Sequence, residues 1–154
     1  MEPTIRQALS GDVPAVRHCV NEAFSPYIAR IGTRPAPMLL DFDAHVRDRH
    51  IWVAIVADEI VGVLVQYETP EGFYIDTVAS HPRARGSGVG KALLMFAEGE
   101  AMRRGFDSVY LCTNAKMFEN QILYPRVGYV EYDRKHSEGR ERIYYRKALR
   151  RVSA

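Results

Sequence analysis

Ile75-Asp76-Thr77-Val78-Ala79-Ser80-His81-Pro82-Arg83-Ala84-Arg85-Gly86-Ser87-Gly88-Val89-Gly90-Lys91-Ala92-Leu93-Leu94 is the stretch from which the fold can be read. Its start belongs to a strand over Phe73–Ser80. Gly86–Gly90 is a glycine-rich turn, and Gly88–Arg104 reads as a long helix with Val89, Leu93, Ala97 and Ala101 on one stripe. Gly105 ends that helix. A strand that runs through glycines straight into a helix builds an anion site. The first helical amides have no intrahelical acceptor, and the macrodipole adds about half a positive charge there. Glycines remove the Cβ atoms that would hold a phosphate away from the backbone.

Three phosphate motifs compete for this turn. The dinucleotide fingerprint G-x-G-x-x-G, begun at Gly86, needs glycine where Lys91 stands. The P-loop needs glycine at 85 and Ser or Thr at 92, but the chain has Arg85 and Ala92. The pattern that fits is R-x-x-G-x-G, from Arg85 through Gly88 to Gly90.

Upstream, Thr4–Ala8 is a short strand, and Ser10-Gly11-Asp12 opens a helix with Asp12 or Ser10 as cap and Pro14 in its first turn. Val13, Val16, Val20 and Phe24 recur at helical spacing. Ser25–Pro37, with three prolines and Gly32, reads as a loop. Met38–Arg49 resumes a helix, with Leu39, Phe42 and Val46 inward. Ile51–Ala57 is nearly all apolar, as a strand covered on both faces should be. Asp58-Glu59 turns it into a hairpin with Ile60–Tyr67, and Thr69-Pro70-Glu71-Gly72 turns again. Downstream come a strand over Ser108–Cys112, a helix over Lys116–Val127 broken near Pro125, and strands over Gly128–Arg134 and Glu141–Leu149. The order β-α-α-β-β-β-α-β-α-β-β predicts an α/β protein of the α+β type, a mixed sheet flanked by helices rather than a doubly wound parallel one.

The chain has 154 residues, 47% hydrophobic and 26% charged, which suits one globular domain over 1–154. No apolar run is long enough to span a membrane, and the start Met1-Glu2-Pro3-Thr4 shows no secretory leader, so a cytoplasmic location is expected. Cys19 and Cys112 read as small apolar residues, and His18, His45, His50, His81 and His136 show no ligand spacing, so no metal is expected. Net charge is +2, but residues 134–151 concentrate eight cations against Glu138 and Glu141. Edge strands often carry such charge, and without a base-reading motif no nucleic-acid partner is expected.

The turn at Arg85–Gly90 resembles the pyrophosphate-binding motif of the GNAT superfamily of acetyl-CoA-dependent N-acetyltransferases. The Val78-Ala79-Ser80-His81-Pro82 ending looks like that family's splayed fourth strand. Leu123-Tyr124 with Gly128-Tyr129 looks like its L-Y-x-x-x-G-[FY] signature. The resemblance implies a GNAT-like fold: a mixed, mostly antiparallel sheet splayed after its fourth strand, with about four helices. It also implies acetyl transfer from acetyl-CoA, without a metal, to a small-molecule or peptide amine.

By the same resemblance, the Val78 amide polarises the acetyl carbonyl. The backbone of Val78 and Ala79 holds the pantetheine arm. Arg85, Gly86, Ser87, Gly88, Val89, Gly90 and Lys91 wrap the pyrophosphate, and Tyr124 is the acid for the leaving thiolate. The base is Asp76 or Glu68; alternation puts Asp76 on the same face as Val78, although a carboxylate on a sheet can also simply pair with an arginine. Many relatives carry asparagine seven residues before the tyrosine, where this chain has Met117. Asn114 or Asn120 is then the candidate for an equivalent cofactor contact. Tyr27, Arg30 and Arg34, with Tyr144-Tyr145, lie where the family builds its acceptor pocket. A homodimer through strand edges is compatible with the sequence, and a non-catalytic acyl-CoA-binding module is the alternative function.

Overall fold

Antiparallel pairing builds the first half of the sheet. The computed structural model describes residues 2–150; Met1 and Arg151, the last cation of the basic end, lie outside them. Strand β1 (Thr4–Gln7) pairs with β2 (Ile51–Val56), and β2 pairs with β3 (Glu59–Thr69). The turn between β2 and β3 is made by Ala57 and Asp58, at φ 51° and 63°. Two successive left-handed residues match the twist of a tight hairpin, and they place the turn one residue before Asp58-Glu59. β4 (Gly72–Ser80) follows, and β5 (Ser108–Asn114) joins it in parallel at Phe73↔Val109 and Tyr74↔Tyr110. β6 (Val130–Ser137) and β7 (Arg140–Ala148) form the last hairpin, with β7 antiparallel to β5. The seven strands lie in the order β1-β2-β3-β4-β5-β7-β6, a mixed sheet as expected.

Among the described residues five α-helices accompany the strands: α1 (Val13–Phe24), α2 (Ile28–Ile31), α3 (Phe42–Arg47), α4 (Val89–Arg103) and α5 (Phe118–Arg126). The expected cap of α1 is replaced. Neither Ser10 nor Asp12 caps with its side chain; residues 10–12 form a 3₁₀ turn. Asp12 instead accepts from Arg6 at 2.7 and 3.1 Å and from the Leu9 amide at 2.7 Å, so a stronger charged partner has taken it. The arginine holds its carboxyl below the usual range.

The expected loop over 25–37 contains helical turns. A 3₁₀ turn spans Ser25–Tyr27 and α2 follows, because Pro26 sits in a first turn, where its missing N–H costs nothing, and Gly32 at φ 91° closes α2. The single helix expected over 38–49 is instead a 3₁₀ turn over Ala36–Leu39 and then α3, whose Asp41 cap accepts from the Ala44 amide at 3.0 Å. Phe42 is buried and Leu39 is exposed, against the expected inward stripe.

The chain forms two compact units. One comprises residues up to Tyr67 with Asp76–Ala97; the other comprises Glu68–Ile75 with the chain from Glu98 onward. The first packs Val16, Val20, Ile51, Val53, Leu64 and Leu93. The second packs Phe73, Val109, Leu111, Ile143 and Tyr129. No described helix is long and apolar enough to cross a membrane.

Candidate active site

β4 alternates burial along its whole length. Phe73, Ile75 and Ala79 are buried apolar residues, and Thr77 is buried with them. Tyr74, Asp76, Val78 and Ser80 therefore share the opposite, half-exposed face. The Asp76 carboxylate takes two hydrogen bonds, one to each oxygen. Tyr67 donates its hydroxyl to Oδ2 at 2.6 Å, and Thr77 donates to Oδ1 at 2.9 Å. No lysine, arginine or histidine among the described residues pairs with it. Glu68, in the other unit, lies 3.8 Å from Arg104 and is 56% exposed.

The glycine turn leaves β4 through a 3₁₀ turn over Pro82–Ala84. Gly86 and Gly88 stand at φ 81° and 89°, a backbone that L side chains rarely adopt, and a Cβ on either would meet only open space. Backbone geometry, not crowding, selects glycine here. α4 then begins at Val89, with no carboxylate in its first turn to compete for its amides. Gly90 sits close to Ser80, whose Oγ would lie 3.4 Å from an added Cβ. The Ser87 hydroxyl donates to the Ala84 carbonyl. Arg85, read above as part of the phosphate wrap, also sends Nη2 to the Ala23 carbonyl at 3.0 Å, near the end of α1. The residues expected around a pyrophosphate are thus consecutive within the first unit; the Arg85 and Ser87 amides donate to the Pro82 and Ala84 carbonyls, each at 3.2 Å.

The second unit carries Tyr124 and Asn120. Tyr124 lies on α5, half-buried, with the rings of Tyr129 and Tyr145 at 5.6 and 5.8 Å. Burial, then the proximity of Cys112 and Tyr145, pushes its hydroxyl up to about 12. Asn120 donates Nδ2 to Thr113 at 2.8 Å and lies 3.9 Å from the Met117 sulfur. Asn114 Oδ1 accepts from the Lys116 amide at 2.9 Å, closing the turn before α5. Both asparagines thus hold local structure. Gly128 has φ 99°, and a Cβ there would meet the Lys147 stem at 3.1 Å. Next to it, buried Tyr129 donates to Glu98 at 3.0 Å, and Lys147 donates to the same carboxylate at 3.0 Å.

A family model described as Acetyltransferase (GNAT) family matches residues 15–129. The chain belongs to the GNAT acetyltransferase family. The fold agrees with solved GNAT neighbours. Ard1 from Thermoplasma volcanium superimposes with a TM-score of 0.78 at 19% identity, covering 98% of this chain and 100% of that one. The PaiA N-acetyltransferase from Thermoplasma acidophilum, solved with coenzyme A, gives 0.78 at 15% identity over 97% and 100%. The ribosomal-protein-S18-alanine N-acetyltransferase from Escherichia coli gives 0.77 at 17% identity over 98% and 96%.

One expectation about this GNAT chain changes. Cys19 is buried as expected, and burial pushes its thiol up to about 11. Cys112 is only half-buried and sits 3.3 Å from the Tyr74 hydroxyl, so it is not a plain apolar filler. The histidines form no metal-binding group among the described residues. Four of them meet in pairs. His18 faces His81 with ring centres 5.7 Å apart, and His45 Nδ1 lies 2.9 Å from His50 Nδ1. No spacing rule on the sequence signals either pair.

Proposed function

We propose that the protein transfers the acetyl group of acetyl-CoA directly to a primary amine. The observation that carries this reading is the turn at 85–91: two glycines held at positive φ, opening a 15-residue helix whose first turn lacks a carboxylate. Arg85, Gly86, Ser87, Gly88, Val89, Gly90 and Lys91 surround the pyrophosphate there and bind it chiefly through backbone amides other than those of Arg85 and Ser87, which donate to Pro82 and Ala84. The backbone of Val78 and Ala79 holds the pantetheine arm, and the Val78 amide donates to the acetyl oxygen as it gains charge. Asn120, with Nδ2 held by Thr113, offers its Oδ1 for a cofactor contact.

The amine must attack in its neutral form, although an alkylammonium has a pKa near ~10, comparable to lysine. Of the two candidate bases, we assign Asp76. Neutral donors orient both of its oxygens, whereas Glu68 lies near Arg104. The amine nitrogen bonds to the acetyl carbon as the carbon–sulfur bond breaks, and the surplus amine proton passes to Asp76, directly or through one water. Tyr124 serves the leaving sulfur. A hydroxyl at about 12 gives its proton to a thiolate only uphill, since thiols titrate near ~8.5. Tyr124 therefore acts as a hydrogen-bond donor that stays protonated while charge develops on sulfur.

Calorimetric titration with coenzyme A tests the turn. Native protein should bind, and Gly88→Ala, forced to hold a Cβ at φ 89°, should bind at least about tenfold more weakly while remaining folded. Equal affinity in the two proteins would contradict the assignment.

A further inference from the structure

Tyr67 is fixed from several directions. His45, on α3, stacks on its ring with centroids 5.6 Å apart and planes 17° apart. His50, just before β2, lies 4.8 Å from the same ring at 31°. The two imidazoles touch each other through Nδ1 atoms 2.9 Å apart. The backbone locks the group as well: the His50 amide donates to the His45 carbonyl at 2.8 Å, and the Gln66 amide donates to the His50 carbonyl at 2.9 Å. Gln66 precedes Tyr67 on β3, so both histidines are tied to the strand that carries the tyrosine. All of these residues belong to the first unit.

We infer that His45 and His50 hold Tyr67 as a positioning residue that aims the Asp76 carboxylate at the amine nitrogen of the acceptor. This rests on the acetyl-transfer reading and on Asp76 as its base. An ionised carboxylate has about four lone-pair sites. Tyr67 fills one on Oδ2 and Thr77 one on Oδ1, which leaves a site on each oxygen and fixes the plane in which it lies. Thr77 is the neighbouring residue and moves with Asp76, so it cannot fix the carboxylate against the rest of the fold. Tyr67 comes from another strand and can. The two Nδ1 atoms need one donor and one acceptor, so the pair carries one proton between those nitrogens. In the chemical step the neutral amine nitrogen bonds to the acetyl carbon, one of its N–H bonds breaks as an Asp76 O–H bond forms, and the carbon–sulfur bond breaks to release coenzyme A as its thiolate; the Tyr67 O–H bond stays intact.

The test compares Tyr67→Phe with native protein on two acceptors: the best primary amine of a panel and its aminooxy analogue, which is already neutral at assay pH. Tyr67→Phe keeps the ring against both imidazoles and removes only the hydroxyl. The expected result is a kcat about tenfold or more lower with the amine, an unchanged KM for acetyl-CoA, and a much smaller loss with the aminooxy compound, whose weakly basic nitrogen becomes acidic enough on attack to shed its proton to water. His45→Gln, which removes the stacked ring, should show the same selective loss to a smaller degree. Equal losses on both acceptors would reveal a general structural role and overturn the inference, as would native rates on both. Native protein that releases no coenzyme A with any acceptor would instead overturn the acetyl-transfer reading, and the positioning role with it.

Discussion

Tyr124 and Tyr129 share one short segment but stand in different surroundings. Tyr129 is 1% exposed and bonded to Glu98, so it is structural. Tyr124 is half-buried and raised to about 12. A raised tyrosine keeps its proton until the pH nears the raised value, so Tyr124 remains a donor through the whole working range. A hydrogen bond to a charged group contributes about 1.5–3 kcal/mol. Tyr124→Phe should therefore lower kcat by about 10- to 100-fold. Its pH–rate curve should keep the native shape from neutral to about pH 10, because Tyr124 does not titrate there; a displaced alkaline limb would refute that role. The sequence pattern marked both tyrosines as one signature. It could not say that Gly128 is glycine partly because the Lys147 stem passes 3.1 Å from where a Cβ would stand. The clamp on Asp76 was also invisible, because His45, His50 and Tyr67 meet through stacking across three separate elements.

Among the elements, α4 was the most legible. Its stripe of Val89, Leu93, Ala97 and Ala101 is buried throughout, as 3.6-residue periodicity demands. Its seat on the sheet was not legible. Gly62 looks like an ordinary strand glycine, yet an added Cβ would stand 2.6 Å from Val89 Cγ1, 3.0 Å from Leu93 Cδ1 and 3.1 Å from Ala54 Cβ. The strand is bare at that point so that the helix can approach. Gly62→Ala should destabilise the fold by about 1–3 kcal/mol, seen as a lower urea midpoint; an unchanged midpoint would show that α4 has room to move. Periodicity failed between residues 25 and 49, where turns of three or four residues are set by Pro26, Gly32 and Asp41 rather than by an apolar repeat.

For the whole molecule, the charge count was the least informative signal. β6 is the last strand of the sheet and exposed along its length, in line with a basic edge. Several of the cations there have structural partners: Arg134 pairs with Glu131 at 3.0 Å, Lys147 with Glu98 at 3.0 Å, and Arg146 donates to Ser108 at 2.8 Å. The proposed anion site is instead a turn whose glycines carry no charge, visible in sequence only as spacing. Element order, family membership and the turn were legible because each is a local pattern. The identity of the acceptor depends on side chains brought together by the fold, and no spacing encodes it. The most direct measurement is coenzyme A release from acetyl-CoA across a panel of primary amines and peptide N-termini, with the product weighed by mass spectrometry. Amine-dependent release with a matching N-acetyl product is the predicted result. Tight acetyl-CoA binding with no acetylated product from any amine would contradict it and leave a module that binds acyl-CoA without turning it over.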